Sequence, residues 1–191
     1  MSNDIRAIIA RVLSDIRVEL SDEFDQNFER QGFFSEAWQR RHSPLRPGGL
    51  LLLDTGALRR SIGSRTTSDS ITFFSTLPYA AVHNEGGTIR VTSRMKRYFW
   101  WRYYQTVGRF GRKKDGSLRN DKRTVQLGSE AEFWKHMALM KEGREIRLPR
   151  RQFLGMSPEV ERSVREIIEE NLSEYFEQNG MQLLMQQKGE Q

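Results

Sequence analysis

The chain of 191 residues has no cysteine, which excludes disulfides, thiol nucleophiles and cysteine-ligated zinc or iron–sulfur centres. It has three histidines, His42, His83 and His136, with no HxxxH or HExxH spacing, so a histidine-built metal centre has few ligands to draw on. The longest aliphatic stretch, residues 50–53, is four residues, far short of the ~18 that a membrane helix needs. The start of the chain places Asp4 and Arg6 in an amphipathic pattern and lacks the basic lead and apolar centre of a signal peptide, which points to a cytoplasmic product. Gly108, Gly111 and Gly116 neither follow a strand candidate nor lead into a GK[ST] helix, so no phosphate-binding loop is expected, and no cofactor.

Apolar residues are scarce, at 37%, but aromatics reach 10%, with 11 Phe and 4 Trp. That is enough to bury a core, and the length suits a single domain over residues 1–191. Charge is unevenly spread. Residues 86–151 hold 18 Lys and Arg against 6 Asp and Glu, a net +12, while the rest of the chain holds 13 against 19, a net −6. Such asymmetry serves either a polyanion-binding surface or self-complementary packing between subunits.

Hydrophobic spacing predicts a long amphipathic helix over 4–34, through Ile5, Ile8, Ile9, Val12, Ile16, Leu20, Phe24 and Phe28, capped by Ser2 or Asn3 and stopped at Gly32. Residues 42–49, with Pro44, Pro47 and a Gly pair, read as a loop. Asp54 and Thr55 occupy the N-cap position of a short helix over 56–61. Residues 62–66 and 70–75 form a hairpin by composition, 79–84 one or two helical turns, and 88–92 a strand after Gly86-Gly87.

Residues 95–107 are a helix apolar on nearly every face, 108–120 an exposed and mobile Gly, Lys and Arg loop, and 130–141 a second short helix. Together, residues 94–141 look like a basic, aromatic insertion. A strand is expected at 145–148. The final helix has the clearest signals: Ser157 at the cap, Pro158 at the first helical position, and a stripe of Val160, Val164, Ile167, Ile168, Leu172, Tyr175 and Phe176. Gly180 can end it, leaving residues 182–191 as a disordered tail.

His83 and Glu85 beside the Gly86-Gly87 turn invite a metal-dependent nuclease reading, but further ligands are missing and a structural role for His83 is favoured. The stretch 94–114 carries Arg94, Lys96, Arg97, Arg109, Arg112, Lys113 and Lys114 with Tyr98, Trp100 and Trp101. Cations that neutralise phosphates and rings that stack on bases fit sequence-independent DNA binding. Rings pointing several ways from one helix fit a subunit interface better.

Three blocks share a pattern: LLLDTGALRRSI at 51–62, YAAVHNEGG at 79–87 and LPRRQFLG at 148–155. In this order they resemble the bacteriophage virion morphogenesis family, the tail-completion family of Mu-like phages and prophages. The matching residues are Asp54, Thr55, Gly56 and Leu58, then Tyr79, His83, Gly86 and Gly87, then Pro149, Phe153, Leu154 and Gly155. The resemblance spans roughly 33–176, apart from 95–141. It implies a structural, non-enzymatic protein that completes the tail or joins tail to head. It also implies a homo-oligomeric ring, with other head, neck or tail proteins as partners, in the host cytoplasm during assembly and then in the virion. Each block also has a physical role as a fold marker: a helix start, backbone freedom at the glycines, and an anchor before the last helix. Arg59 and Arg151 are the block residues with an interface or DNA-facing role in view. The expected fold is α+β: long N- and C-terminal helices on a small, mainly antiparallel sheet, with a helical basic insertion.

Overall fold

The computed structural model describes residues 4–41 and 43–178 with their side chains, and 2–3 and 179–189 as backbone. The fold is α+β, with long terminal helices, as expected. The strands do not merge into one sheet; they form three separate antiparallel pairs. The chain divides into two compact units, one of residues 1–38, 52–80 and 151–191, the other of 39–51 and 81–150.

The first unit is built on α1 (Ser2–Arg30) and α6 (Pro158–Gly189). On α1 the apolar stripe buries Ile16, Leu20, Phe24 and Phe28, whereas Ile5 and Ile9 are exposed. The helix ends at Arg30, and Gln31, at φ 58°, makes the left-handed turn that Gly32 was expected to supply. Gly32 serves a close approach instead, because a Cβ there would stand 2.6 Å from the Glu36 carbonyl oxygen. It opens β1 (Gly32–Phe33), paired with β2 (Glu36–Ala37). Gly180 does not end α6, whose backbone runs on to Gly189; the side chains of Ser2 and Asn3, and residues 190–191, lie outside the described residues.

Helix α6 begins as expected, with the Ser157 hydroxyl accepting from the Val160 amide at 3.3 Å. It runs antiparallel to α1, tied by Asn171 Nδ2 donating to Asp15 Oδ2 at 3.0 Å and by the Arg11–Glu174 ion pair. Its buried side is Val160 and Asn171, with Val164, Ile167 and Tyr175 half-buried; Ile168, Leu172 and Phe176, expected on that stripe, are exposed instead. The helix turns those three through a different arc from Val160 and Asn171, because four-residue steps drift around a 3.6-residue helix.

Phe28, fully buried, meets Trp38 edge-on at 5.7 Å between centroids and Phe153 at 5.4 Å. The Trp38 indole N–H donates to the Gln152 carbonyl at 2.6 Å, which satisfies the polar edge of a buried ring. The hairpin of β3 (Ile62–Thr66) and β4 (Ile71–Ser75) pairs Ile62 with Ser75 and Thr66 with Ile71. Phe73 packs edge-on against Phe24 at 5.1 Å.

Before that hairpin comes α2 (Ala57–Arg60), a single turn. Its N-cap is Gly56 at φ 72°, not Asp54 or Thr55, and no side chain caps it. The Thr55 hydroxyl accepts from the Ala57 amide at 3.3 Å, a local turn that starts the helix from one residue earlier.

The second unit is a helical hairpin with a small sheet. Helix α3 (Ala80–Asn84) leads into β5 (Gly87–Arg90), which pairs with β6 (Glu145–Leu148) so that Gly87 faces Leu148. Gly86, at φ 75°, is irreplaceable on two counts, since a Cβ would also lie 2.8 Å from the Arg150 amide nitrogen. Helix α4 (Ser93–Val107) is capped by Thr92, whose side chain accepts from the Met95 amide. Helix α5 (Lys122–Leu139) starts eight residues before the expected Glu130, at an Asp121 cap that accepts from the Thr124 amide at 2.8 Å. Gly128 inside α5 weakens the local helical preference. Burial of Leu127, Ala131, Trp134 and Ala138 along one face overrides it.

Among the described residues, no helix is long and apolar enough to cross a membrane. Truncating Phe28 to Ala removes a ring that three chain segments share, and is expected to cost about 3–5 kcal/mol in denaturant unfolding. Gly86→Ala is expected to cost about 2 kcal/mol, from forced left-handed backbone and the contact with Arg150.

A candidate assembly surface

The surface most unlike an ordinary solvated one lies on α4. Phe99 stacks on Trp134 of α5 at 6.0 Å and is buried, together with Ala138. Met95, Trp100, Tyr103, Phe133, Met137 and Leu45 pack around them. Arg102 lies over the Trp134 ring at 5.0 Å and pairs with Glu130 at 3.4 Å, while the Trp134 indole donates to the same Glu130 at 3.3 Å. That cation–π stack is internal, so Arg102 is spent within the hairpin.

The opposite side of α4 has no such cover. Trp101 and Tyr104 are exposed there, Trp101 at 52%, with Arg94 and Arg97, while Tyr98, also exposed, meets Trp134 edge-on at 6.1 Å from the flank of the helix. Trp100, placed among the outward rings by its sequence neighbours, is half-buried against Tyr103 and Tyr104 instead. Tyr104 is the exposed ring that the sequence pattern did not single out.

Between α4 and α5 the basic segment is ordered rather than loose. Arg112 bridges to Leu118, the Lys113 amide donates to the Ser117 carbonyl at 2.8 Å, and Gly116 turns the chain at φ 84°. The Arg112 guanidinium donates to the Gly116 carbonyl at 2.9 Å, and Arg119 Nε donates to the Arg112 carbonyl at 3.1 Å. Asp115 accepts from the Ser117 hydroxyl and amide, which holds its carboxyl below the usual range. The turn thereby holds Arg109, Lys113 and Lys114 in solvent; Lys96 is half-buried on α4.

Two arginines offered as surface contacts are placed otherwise. Arg59 makes a forked pair with Asp25 on α1 and reaches Glu29 at 2.9 Å. The Arg59 guanidinium holds the Asp25 carboxyl below the usual carboxylate range, against a smaller opposing effect of burial. This fork ties α2 to α1. Arg151 is 8% exposed, so it does not present its charge to a DNA backbone. A cleft of about 130 Å³ opens beside the fork, lined by Ser21, Asp25, Arg59, Ile62, Gly63, Ser64 and Phe73, smaller than common ligand sites.

The block residues serve the fold. Leu58, Phe153 and Leu154 are buried, Gly155 sits at φ 130°, and Gly86-Gly87 meets the Leu148-Pro149 segment through the β5–β6 pair. Tyr79 and Asp54 are exposed, and His83 is half-buried beside the exposed Glu85. Among the described residues, no group of three or more His, Asp and Glu side chains is placed to hold a metal ion.

The architecture is that of a small α+β protein whose three sequence blocks build its frame and whose unusual chemistry lies on an open helix face. The sequence profile of the phage virion morphogenesis family matches residues 4–173, and the chain belongs to that family. The matched range runs through the 94–141 region, which resemblance by short blocks alone had left out. No curated protein and no solved structure matches the chain. Membership makes this a protein of phage virion assembly with other virion proteins as partners.

The Asp25–Arg59 fork yields a pH dependence. Because the Asp25 carboxyl is lowered on folding, the stability that the fork adds is complete above about pH 4, the ordinary carboxylate value. It is lost as the pH falls through the lower folded-state value. Asp25→Asn is expected to lower unfolding free energy by about 1 kcal/mol at pH 7. The difference from the parent should close in unfolding measurements toward pH 2.

Proposed function

We propose that this chain completes the tail, or joins the tail to the filled head, as a neck component acting through oligomerisation and without catalysis. The observation that carries the reading is the pairing of opposite charge with uncovered rings. The unit of residues 39–51 and 81–150 holds 20 Lys and Arg against 7 Asp and Glu, a net +13, and the other holds 11 against 18, a net −7. The basic unit also carries the exposed Tyr98, Trp101 and Tyr104. Joints between head and tail are rings, and a ring needs two different, complementary surfaces on each copy. Copies of this chain carry the ingredients of both. The protein assembles in the host cell and stays in the virion beside head, neck or tail proteins.

Light scattering at low and high salt, with and without a DNA fragment, tests this. A discrete oligomer without DNA is expected, with Trp101→Ala shifting it at least tenfold toward smaller species. A monomer at every protein concentration that gains mass only with DNA, at low salt, overturns it. DNA binding is favoured by one observation, the placement of Lys113 and Lys114 at the tip of an ordered turn. Under that reading the triple variant Arg112→Ala, Lys113→Ala, Lys114→Ala flattens the salt dependence of binding by about 2–3 units of log–log slope.

A further inference from the structure

Two uncovered helix faces in this chain are opposite in kind. On α4, Tyr98, Trp101 and Tyr104 stand exposed with Arg94 and Arg97, and residues 93–104 contain four Lys and Arg and no Asp or Glu. On α6, Ile168, Leu172 and Phe176 recur every fourth residue as an exposed apolar line, Phe176 at 67%. Residues 166–177 contain five Glu and no Lys or Arg. Of these five only Glu174 has an ion-pair partner among the described residues, Arg11. The α6 line is not spare core, because α6 already buries Val160 and Asn171 along a neighbouring arc.

We propose that the α4 face of one copy docks on the Ile168–Leu172–Phe176 line of α6 in a second copy. This rests on the oligomeric reading above and names the surfaces that realise it. The occupant follows from the chemistry. Rings and aliphatic side chains supply the apolar contact, while Arg94 and Arg97 meet the glutamates flanking the line, desolvated enough at an interface to gain over their value in water. The basic face does not pair with itself without facing like charges, and neither does the acidic one, so each contact joins the α4 face of one copy to the α6 line of another. Charge pairing at its rim also makes assembly weaken with salt.

Because the chain has no cysteine, single cysteines report the contact directly. Gln105→Cys lies on the exposed side of α4 and Ser173→Cys beside the α6 line, both exposed and outside either apolar set. A mixture of the two single variants under mild oxidation is expected to form an interchain disulfide several-fold faster than either alone. In parallel, Trp101→Ala and Phe176→Ala are each expected to weaken assembly at least tenfold. Mixed together they should form heterodimers with one intact junction, and nothing larger. Melting curves close to the parent's show that these exposed substitutions leave the fold in place. If Phe176→Ala assembles like the parent while Trp101→Ala does not, or if the cysteine mixture shows no excess cross-linking in an assembling protein, the pairing is wrong and the oligomeric reading stands. A parent that stays monomeric and uncross-linked at all concentrations overturns both.

Discussion

Phe28 is the side chain on which the first unit depends. It is fully buried near the end of α1, and it contacts Trp38 just after the β1–β2 turn and Phe153 just before α6. Three stretches far apart in the chain thus share one apolar centre. The Trp38 hydrogen bond to the Gln152 carbonyl fixes the orientation of those stretches, because a buried indole N–H without an acceptor is costly. From this centre α1 and α6 run side by side, and the rest of the unit fills in around Phe24, Phe33 and Leu58. In a chain without disulfides and with few aliphatic residues, interlocked rings are the available source of cohesion.

In the second unit the same economy works through one ring pair. Phe99 and Trp134 stack between α4 and α5, and Arg102 and Glu130 close the polar edge of that stack. Filling the inner side of α4 with these groups leaves Trp101 and Tyr104 on its outer side and Tyr98 exposed at its flank. An outer helix face that mixes large rings with arginines has the composition of a contact surface. The surplus of rings on α4 is therefore best explained by assembly, which is also the business of the family to which the chain belongs.

Much of this was legible in the sequence. The hairpin of β3 and β4, the strand at Glu145–Leu148, the Ser157-Pro158 start of α6 and the helix over Ser93–Val107 all carry strong local signals, and the structure has them. The three blocks identified the family. Less legible were features decided by contacts remote in sequence. The start of α5 was hidden because Gly128 weakens the local signal and only packing of Leu127 and Ala131 restores it. Gln31 takes the left-handed turn at the end of α1 while Gly32 is kept for the close approach to the Glu36 carbonyl, and Gly56, at φ 72°, is the cap of α2.

The sequence by itself determined the α+β class, the family and the segregation of charge, because each is written in residue types and short spacings that no partner can alter. Tertiary structure alone decided which charges and apolar groups remain for others. Arg59 and Arg102 look free in the sequence, yet one is forked to Asp25 and the other sits over Trp134. Ile168, Leu172 and Phe176 look like core, yet they face solvent. A side chain is available for assembly only if folding has not already paired or buried it, and that depends on residues dozens of positions away.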